Sequence, residues 1–362
     1  MIYISCLLFF CCYCMGDFIT HTRFVFLEDK RKMKYDDFCD KVKKALSDHY
    51  GESVSVELNK VIKNNGIYKK GILVNRHKQY PVPTVYLEDL YRSYEEGMTF
   101  SSVIDKLIEL TAERSELKTF DIDAFTDFEK AKDRIVFKLI NASLNKELLK
   151  DIPSLPYLDM AIVFYYLVPE SFCGNASILI TKQHMKNWKT NTQTLYAIAY
   201  NNQEKLLPRS IMSMRNVLKD VFMKDLKKMK GCEECGDEEW MEELTDGMVD
   251  LGCTGDANKE LYVLTNSEKY YGASAILNHE ALEECEKVCG GSFYILPSSV
   301  HELIVFSDSE LPLSELYEMV KAVNDTQVPP EEILSYSVYR YDTEKHVVTR
   351  LEKCVNSVSA EL

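Results

Sequence analysis

The sequence predicts an α+β protein with mixed or antiparallel sheets and packed helices, arranged as two α/β lobes. Three observations carry that reading. Tyr35, Phe38, Cys39, Val42 and Leu46 recur at helical spacing, which predicts an amphipathic helix ending near Gly51. Val54–Leu58 alternates and, across Asn64-Asn65-Gly66, faces Ile67–Val74. That is the pattern of a β-hairpin whose glycine supplies a positive φ. Leu261–Phe306 reads as strand, helix, strand, turn, strand and holds most of the residues capable of chemistry.

The remaining elements follow in order. Leu87, Leu90, Tyr91 and Tyr94 predict a second helix stopped by Gly97, and Val103, Ile104, Leu107, Ile108 and Thr111 a third. Arg134–Ile140 reads as a strand, and Leu144–Leu149 as a short helix ended before Pro153. Met160–Val168 is a continuous apolar run of strand length, so it predicts a central strand buried on both faces, with Ala176–Thr181 as its hairpin partner. Leu195, Ile198, Ala199 and Leu206 mark a helix closed by Pro208, and Met214–Met229 another. Beyond residue 260, Leu261–Asn266 predicts a strand and Tyr271–Val288 one helix, capped by Gly290-Gly291. Strands at Ser292–Leu296 and Leu303–Phe306 come next, then a helix at Leu313–Val323. A closing hairpin pairs Ser335–Tyr341 with His346–Leu351.

The composition bounds function by exclusion. Hydrophobic residues at 46% and charged residues at 28% suit a chain able to bury a sizeable core. A net charge of −14 with no local basic patch argues against nucleic acid as a partner. The twelve cysteines lack a framework spacing, which suits reduced thiols in the cytoplasm better than a disulfide scaffold. Ile2–Met15 is apolar but too short for an ordinary transmembrane helix, which needs about 20 residues. It also lacks the positive n-region and small-residue site of a signal peptide. The expectation is that translation starts at Met33, residues 1–32 being an over-extended gene prediction, with a membrane-targeting segment as the alternative. From a Met33 start, no membrane association is expected. The expected organisation is an N-terminal region 33–227, an acidic Cys-containing linker or insertion 228–260, and a C-terminal region 261–362.

Tyr262-Val263-Leu264-Thr265-Asn266, Tyr271-Gly272-Ala273-Ser274-Ala275-Ile276-Leu277 and Phe293–Glu302 together resemble the domain of unknown function 5688 family of gut anaerobes. The likeness runs from Met33 to about Leu351, and Val56–Val61 with Lys69-Lys70-Gly71 fits it too. It implies a bacterial cytosolic protein and brings no established activity.

The candidate sites therefore rest on their own chemistry. Ser299, His301 and Glu302 offer a nucleophile, a base and an orienting group, though no Gly-x-Ser-x-Gly elbow surrounds them. The competing expectation is that Ser299-x-x-Glu302 is a capping box closing a helical turn between two strands. His279-Glu280 and His301-Glu302 present imidazoles and carboxylates but lack the H-E-x-x-H spacing of a zinc site, so no metal is expected. Cys232-Glu233-Glu234-Cys235, with Cys253 downstream, lacks the second pair that zinc needs. No cofactor is expected, because the glycines lack the spacing of a phosphate loop. The tyrosines at 262, 270, 271 and 294 line a groove or pack a core. Tyr262, Asn266, Tyr271, Ser274 and Tyr294 are the candidate binding residues. The expected function is a non-catalytic module binding a protein or small ligand; the alternative is a hydrolase using Ser299, His301 and Glu302, possibly metal-assisted.

Overall fold

The computed structural model describes residues 33–75, 84–111, 122–169, 177–230, 245–246, 260–308 and 311–352. The expected extension 1–32, most of the expected linker 228–260, and Cys232, Cys235 and Cys253 lie outside these residues. The chain is α+β and divides into two compact units. One runs through the described residues up to Asp127, and the other holds Phe128–Leu167 and the chain from Ser177 onward.

In the first unit, α1 (Tyr35–Tyr50) buries Phe38, Cys39, Val42 and Leu46, and Asp36 and Asp37 in its first turn complement the helix dipole. It stops at Gly51, whose φ of 71° a β-carbon would disfavour. β1 (Ser55–Ile62) and β2 (Tyr68–Asn75) form the expected antiparallel hairpin. Its turn uses positive φ at both Asn65 (60°) and Gly66 (69°). β3 (Val85–Tyr86) adds to β2, and α2 (Glu88–Glu95) and α3 (Phe100–Thr111) follow. The apolar stripe of α1 packs with Ile72, Leu87 and Leu107, all fully buried, each such side chain contributing about 1.5–3 kcal/mol by leaving water.

The second unit contains two sheets. In the smaller, β6 (Met160–Leu167) pairs with β4 (Ile135–Asn141) along one edge and with β5 (Ser154–Tyr157) and β7 (Ser177–Leu179) on the other, all antiparallel. Met160 through Tyr166 are all buried, so the continuous apolar run is a central strand as expected. β5 has no counterpart among the expected elements; Pro156 hid it, since proline argues against a strand unless it sits at an edge. α4 (Lys182–Trp188) starts with a capping box of Thr181 and His184, and α5 (Thr192–Leu206) with Asn191 as N-cap.

The larger sheet has six strands, in the order β13-β12-β10-β11-β9-β8, every pair antiparallel. Its members are β8 (Arg209–Ser213), β9 (Tyr262–Asn266), β10 (Phe293–Pro297), β11 (Leu303–Ser307), β12 (Tyr339–Asp342) and β13 (Val347–Arg350). β8 and β9, neighbours in this sheet, are separated in sequence by residues 214–261. α6 (Met214–Lys230) and α8 (Leu313–Thr326) cover one face, packing Leu218, Leu316 and Val320 against Val263, Leu296 and Ile304. The helix expected over Tyr271–Val288 is two elements instead: a 3-10 stretch Gly272–Leu277 and α7 (His279–Cys289). The break is chemical. Asn278 takes extended dihedrals and its side chain accepts the Ala281 N–H, making it the N-cap of α7. Gly290, at φ 75°, closes α7 as expected. No helix among the described residues is long and apolar enough to cross a membrane.

Candidate functional site

The turn after β9 is built from the side chains that precede it. Asn266, 2% exposed, accepts the Tyr270 N–H at 3.2 Å and donates to the Tyr270 carbonyl at 2.9 Å, folding the chain back on itself. Lys269 and Tyr271 take left-handed dihedrals, φ 51° and 56°. Ser274, 1% exposed, donates to the Tyr271 carbonyl at 3.0 Å and accepts from Gln203 Nε2 at 3.2 Å. Gln203 Oε1 in turn accepts the Phe137 N–H of β4, so one amide ties α5, the smaller sheet and the turn together. Gly272 lies where nothing larger fits: a β-carbon there would stand 2.2 Å from Thr265 Oγ1 and 2.6 Å from the His301 carbonyl oxygen.

The loop between β10 and β11 docks on this turn. His301 Nδ1 accepts the Tyr271 N–H at 3.1 Å, and its ring stacks on Tyr271 with centroids 5.4 Å apart and planes 13° from parallel. Lys138 Nζ lies 3.9 Å from the centre of the Tyr271 ring. Thr265 Oγ1 donates to the His301 carbonyl at 2.8 Å, and His301 Nε2 is 3.7 Å from Glu332 Oε1. Tyr165, 1% exposed, meets the ring of Tyr271 edge-on at 5.2 Å.

Ser298, Ser299, His301 and Glu302 are all buried. The expected capping box is absent, and with it the helical turn. Ser299 Oγ accepts the His301 N–H at 3.0 Å and Ser299 N donates to the Glu302 carbonyl at 3.2 Å, a hydroxyl-capped bend. The Glu302 carboxylate turns to Ser298 Oγ, 3.4 Å away, instead of back to the Ser299 N–H. Burial pushes the Glu302 carboxyl up to about 7, with the Ser298 hydroxyl opposing it.

The other candidates are dispersed. Tyr262 donates to Glu260 at 2.8 Å, and Tyr294 packs on Phe306 at 5.6 Å, on the sheet face beneath α6 and α8. Neither joins Tyr270 and Tyr271, whose rings lie 4.0 Å apart. His279 is exposed on α7, 3.3 Å from Glu283, while His301 is buried between Tyr271 and Glu332. Among the described residues no group of three or more His, Cys, Asp or Glu side chains is arranged to hold a metal.

Asn266 and Ser274 do meet at one feature, a shallow cleft open to solvent between α5, β4 and the Gly272–Leu277 stretch, with about 20 Å³ of enclosed space. Phe137, Tyr200, Gln203, Glu204 and Arg209 are among its other wall residues. Arg209 is held by Glu204 at 2.8 Å, Glu284 at 2.9 Å and Glu280 at 3.1 Å, so the rim carries more negative than positive charge. Sequence reading missed these wall residues. Tyr200, Gln203 and Glu204 follow the buried Leu195 and Ala199 on one helix, where they look like an ordinary solvated face.

The sequence matches the Family of unknown function (DUF5688) over residues 35–343, and the chain belongs to that family. No curated protein and no solved structure matches it.

Proposed function

We propose that this member of DUF5688 is a binding module that holds a small ligand, without catalysis, in the cleft between α5 and the Gly272–Leu277 stretch. The observation that supports it is the meeting there of Asn266 and Ser274 with an aromatic side chain, Tyr200, that is 42% exposed. Fixed polar groups beside the surfaces of Phe137, Tyr200 and Leu207 can orient a small polar ligand. The amide of Gln203 and the hydroxyl of Ser274 are already oriented by their own partners, so they need no reordering on binding.

The hydrolase alternative has less behind it. A triad needs the imidazole to take a proton from the serine hydroxyl. Ser299 Oγ instead accepts a backbone N–H, and the Nδ1 lone pair of His301 is engaged by Tyr271 N–H. We take the protein to be cytoplasmic, since Cys39, Cys285 and Cys289 are free thiols in the folded chain.

A thermal-shift screen of small polar metabolites, repeated on Tyr200→Ala and Glu204→Gln, tests the cleft. A true ligand at a hundredfold excess over its Kd stabilises by about 2.7 kcal/mol, and that shift shrinks in both variants. A ligand whose shift is equal in both variants binds elsewhere and overturns the proposal. Fluorophosphonate labelling that Ser299→Ala abolishes would reinstate the hydrolase.

A further inference from the structure

The hairpin of the first unit carries a surface that the cleft does not involve. Side chains alternate faces along a strand. The register puts Val56 with Val74, Leu58 with Ile72, Lys60 with Lys70 and Ile62 with Tyr68 on one face. At its base this face is core, Val56, Ile72 and Val74 being 9%, 0% and 3% exposed. At its tip the same face carries Ile62, 59% exposed, and Tyr68, 56% exposed, the two most exposed large hydrophobic side chains among the described residues. β3 accompanies β2 only at Gly71 and Ile72, so the tip extends past the third strand.

Charge reverses at the same place. Residues 59–70, NKVIKNNGIYKK, hold Lys60, Lys63, Lys69 and Lys70 and no Asp or Glu, in a chain of net charge −14. Lys70 is engaged by Asp36 at 2.7 Å. Lys60 Nζ lies 3.8 Å over the Tyr68 ring on this face, whereas Lys63 Nζ lies 3.8 Å over the ring of Tyr86, which pairs with Gly71 on the opposite face.

We infer that this tip is a docking surface for an acidic segment of a partner protein, with an apolar side chain covering Ile62 and Tyr68 and a carboxylate meeting Lys60 beside them. Charge complementarity selects the occupant. An anionic membrane fits less well, because its headgroups repel the remainder of an acidic chain, whereas a short peptide meets the basic tip alone.

The test is selection of random displayed peptides on the full chain, in parallel with Ile62→Ser/Tyr68→Ser and Lys60→Glu variants. The expected result is a set of peptides rich in Asp and Glu around an apolar residue. They bind each variant roughly tenfold more weakly and weaken as salt rises. Peptides without acidic bias, or peptides that bind both variants equally well, overturn the inference. So does retention on phosphatidylserine vesicles, lost in the same variants, with no peptide recovered. Matched circular dichroism guards against misfolding, with Lys60→Gln as the milder variant.

Discussion

Replacing Gly272 by alanine probes how the turn and the β10–β11 loop hold each other. The added β-carbon would stand 2.2 Å from Thr265 Oγ1, 2.6 Å from the His301 carbonyl oxygen and 2.7 Å from Asn266 N. All three distances are below any normal carbon contact, and two involve backbone, which cannot rotate aside. The turn must therefore shift against its neighbours, an overpacking cost of about 1–3 kcal/mol. The shift also breaks the bond from Thr265 Oγ1 to the buried His301 carbonyl, which costs about 1–3 kcal/mol when the acceptor is left without a partner. Against this, Gly→Ala restricts the unfolded chain, stabilising by about 0.4–1 kcal/mol. The clash wins, and the expected net loss is about 3 kcal/mol. Urea unfolding followed by Trp188 fluorescence, in a Trp240→Phe background that leaves a single indole, reads this in the unit that contains the turn. Adding Thr265→Ala removes one of the three clashes, so the double variant falls short of the sum of the two single losses without reaching the parent. A Gly272→Ala protein within about 0.5 kcal/mol of the parent would show that the loop does not pack on the turn as described.

Three further outcomes follow from the same structure. Glu302 is held near 7 in the fold against about 4.3 in an unfolded chain, so the folded state binds the extra proton. The associated stability is full below about pH 4.3 and is lost as pH rises through 7, a fall of roughly 3 kcal/mol that Glu302→Gln should abolish in urea titrations across that window. Asp159 accepts Tyr339 Oη at 2.6 Å, Ser335 Oγ at 2.7 Å and Ser337 Oγ at 2.9 Å. Asp159→Asn is therefore expected to lose about 3 kcal/mol and Tyr339→Phe about half of that, and equal losses would count against the three-fold acceptor. Arg209→Gln leaves Glu204, Glu280 and Glu284 facing one another, at a cost of about 1 kcal/mol in low salt near pH 7. That cost should fade in high salt; a loss insensitive to salt would mean that the arginine acts through packing.

Periodicity made most elements legible. The stripe from Tyr35 to Leu46, the Asn-Asn-Gly turn and the apolar run at Met160 each state their structure locally, because burial on one face or two leaves its period in the chain. What failed was where local and tertiary demands differ. Ala273, Ile276 and Leu277 are spaced for the helix that continues from Ala281, yet Asn278 caps a new one. The preceding stretch is buried from Gly272 to Ile276, so no polar face marks its conformation. β8 was hidden for a related reason: Arg209–Ser213 is half-buried throughout and alternates in nothing.

The candidate site shows the same limit in sharper form. Ser299, His301 and Glu302 suggest a triad because three useful side chains lie close in sequence, but residues two or three apart in a turn meet each other's backbone before they meet each other's side chains. Ser299 accordingly caps the His301 N–H, and the imidazole reaches Tyr271, thirty residues away. The partner that decides the chemistry of His301 is thus a backbone N–H, and a backbone group has no letter in the sequence. Conversely, Asn266 and Ser274 were legible as residues while their neighbours Gln203 and Phe137 were not, because it takes the folded sheet to bring α5 and β4 against the turn. A cleft assembled from three elements is a property of their packing, so its ligand has to be sought by binding to the folded chain.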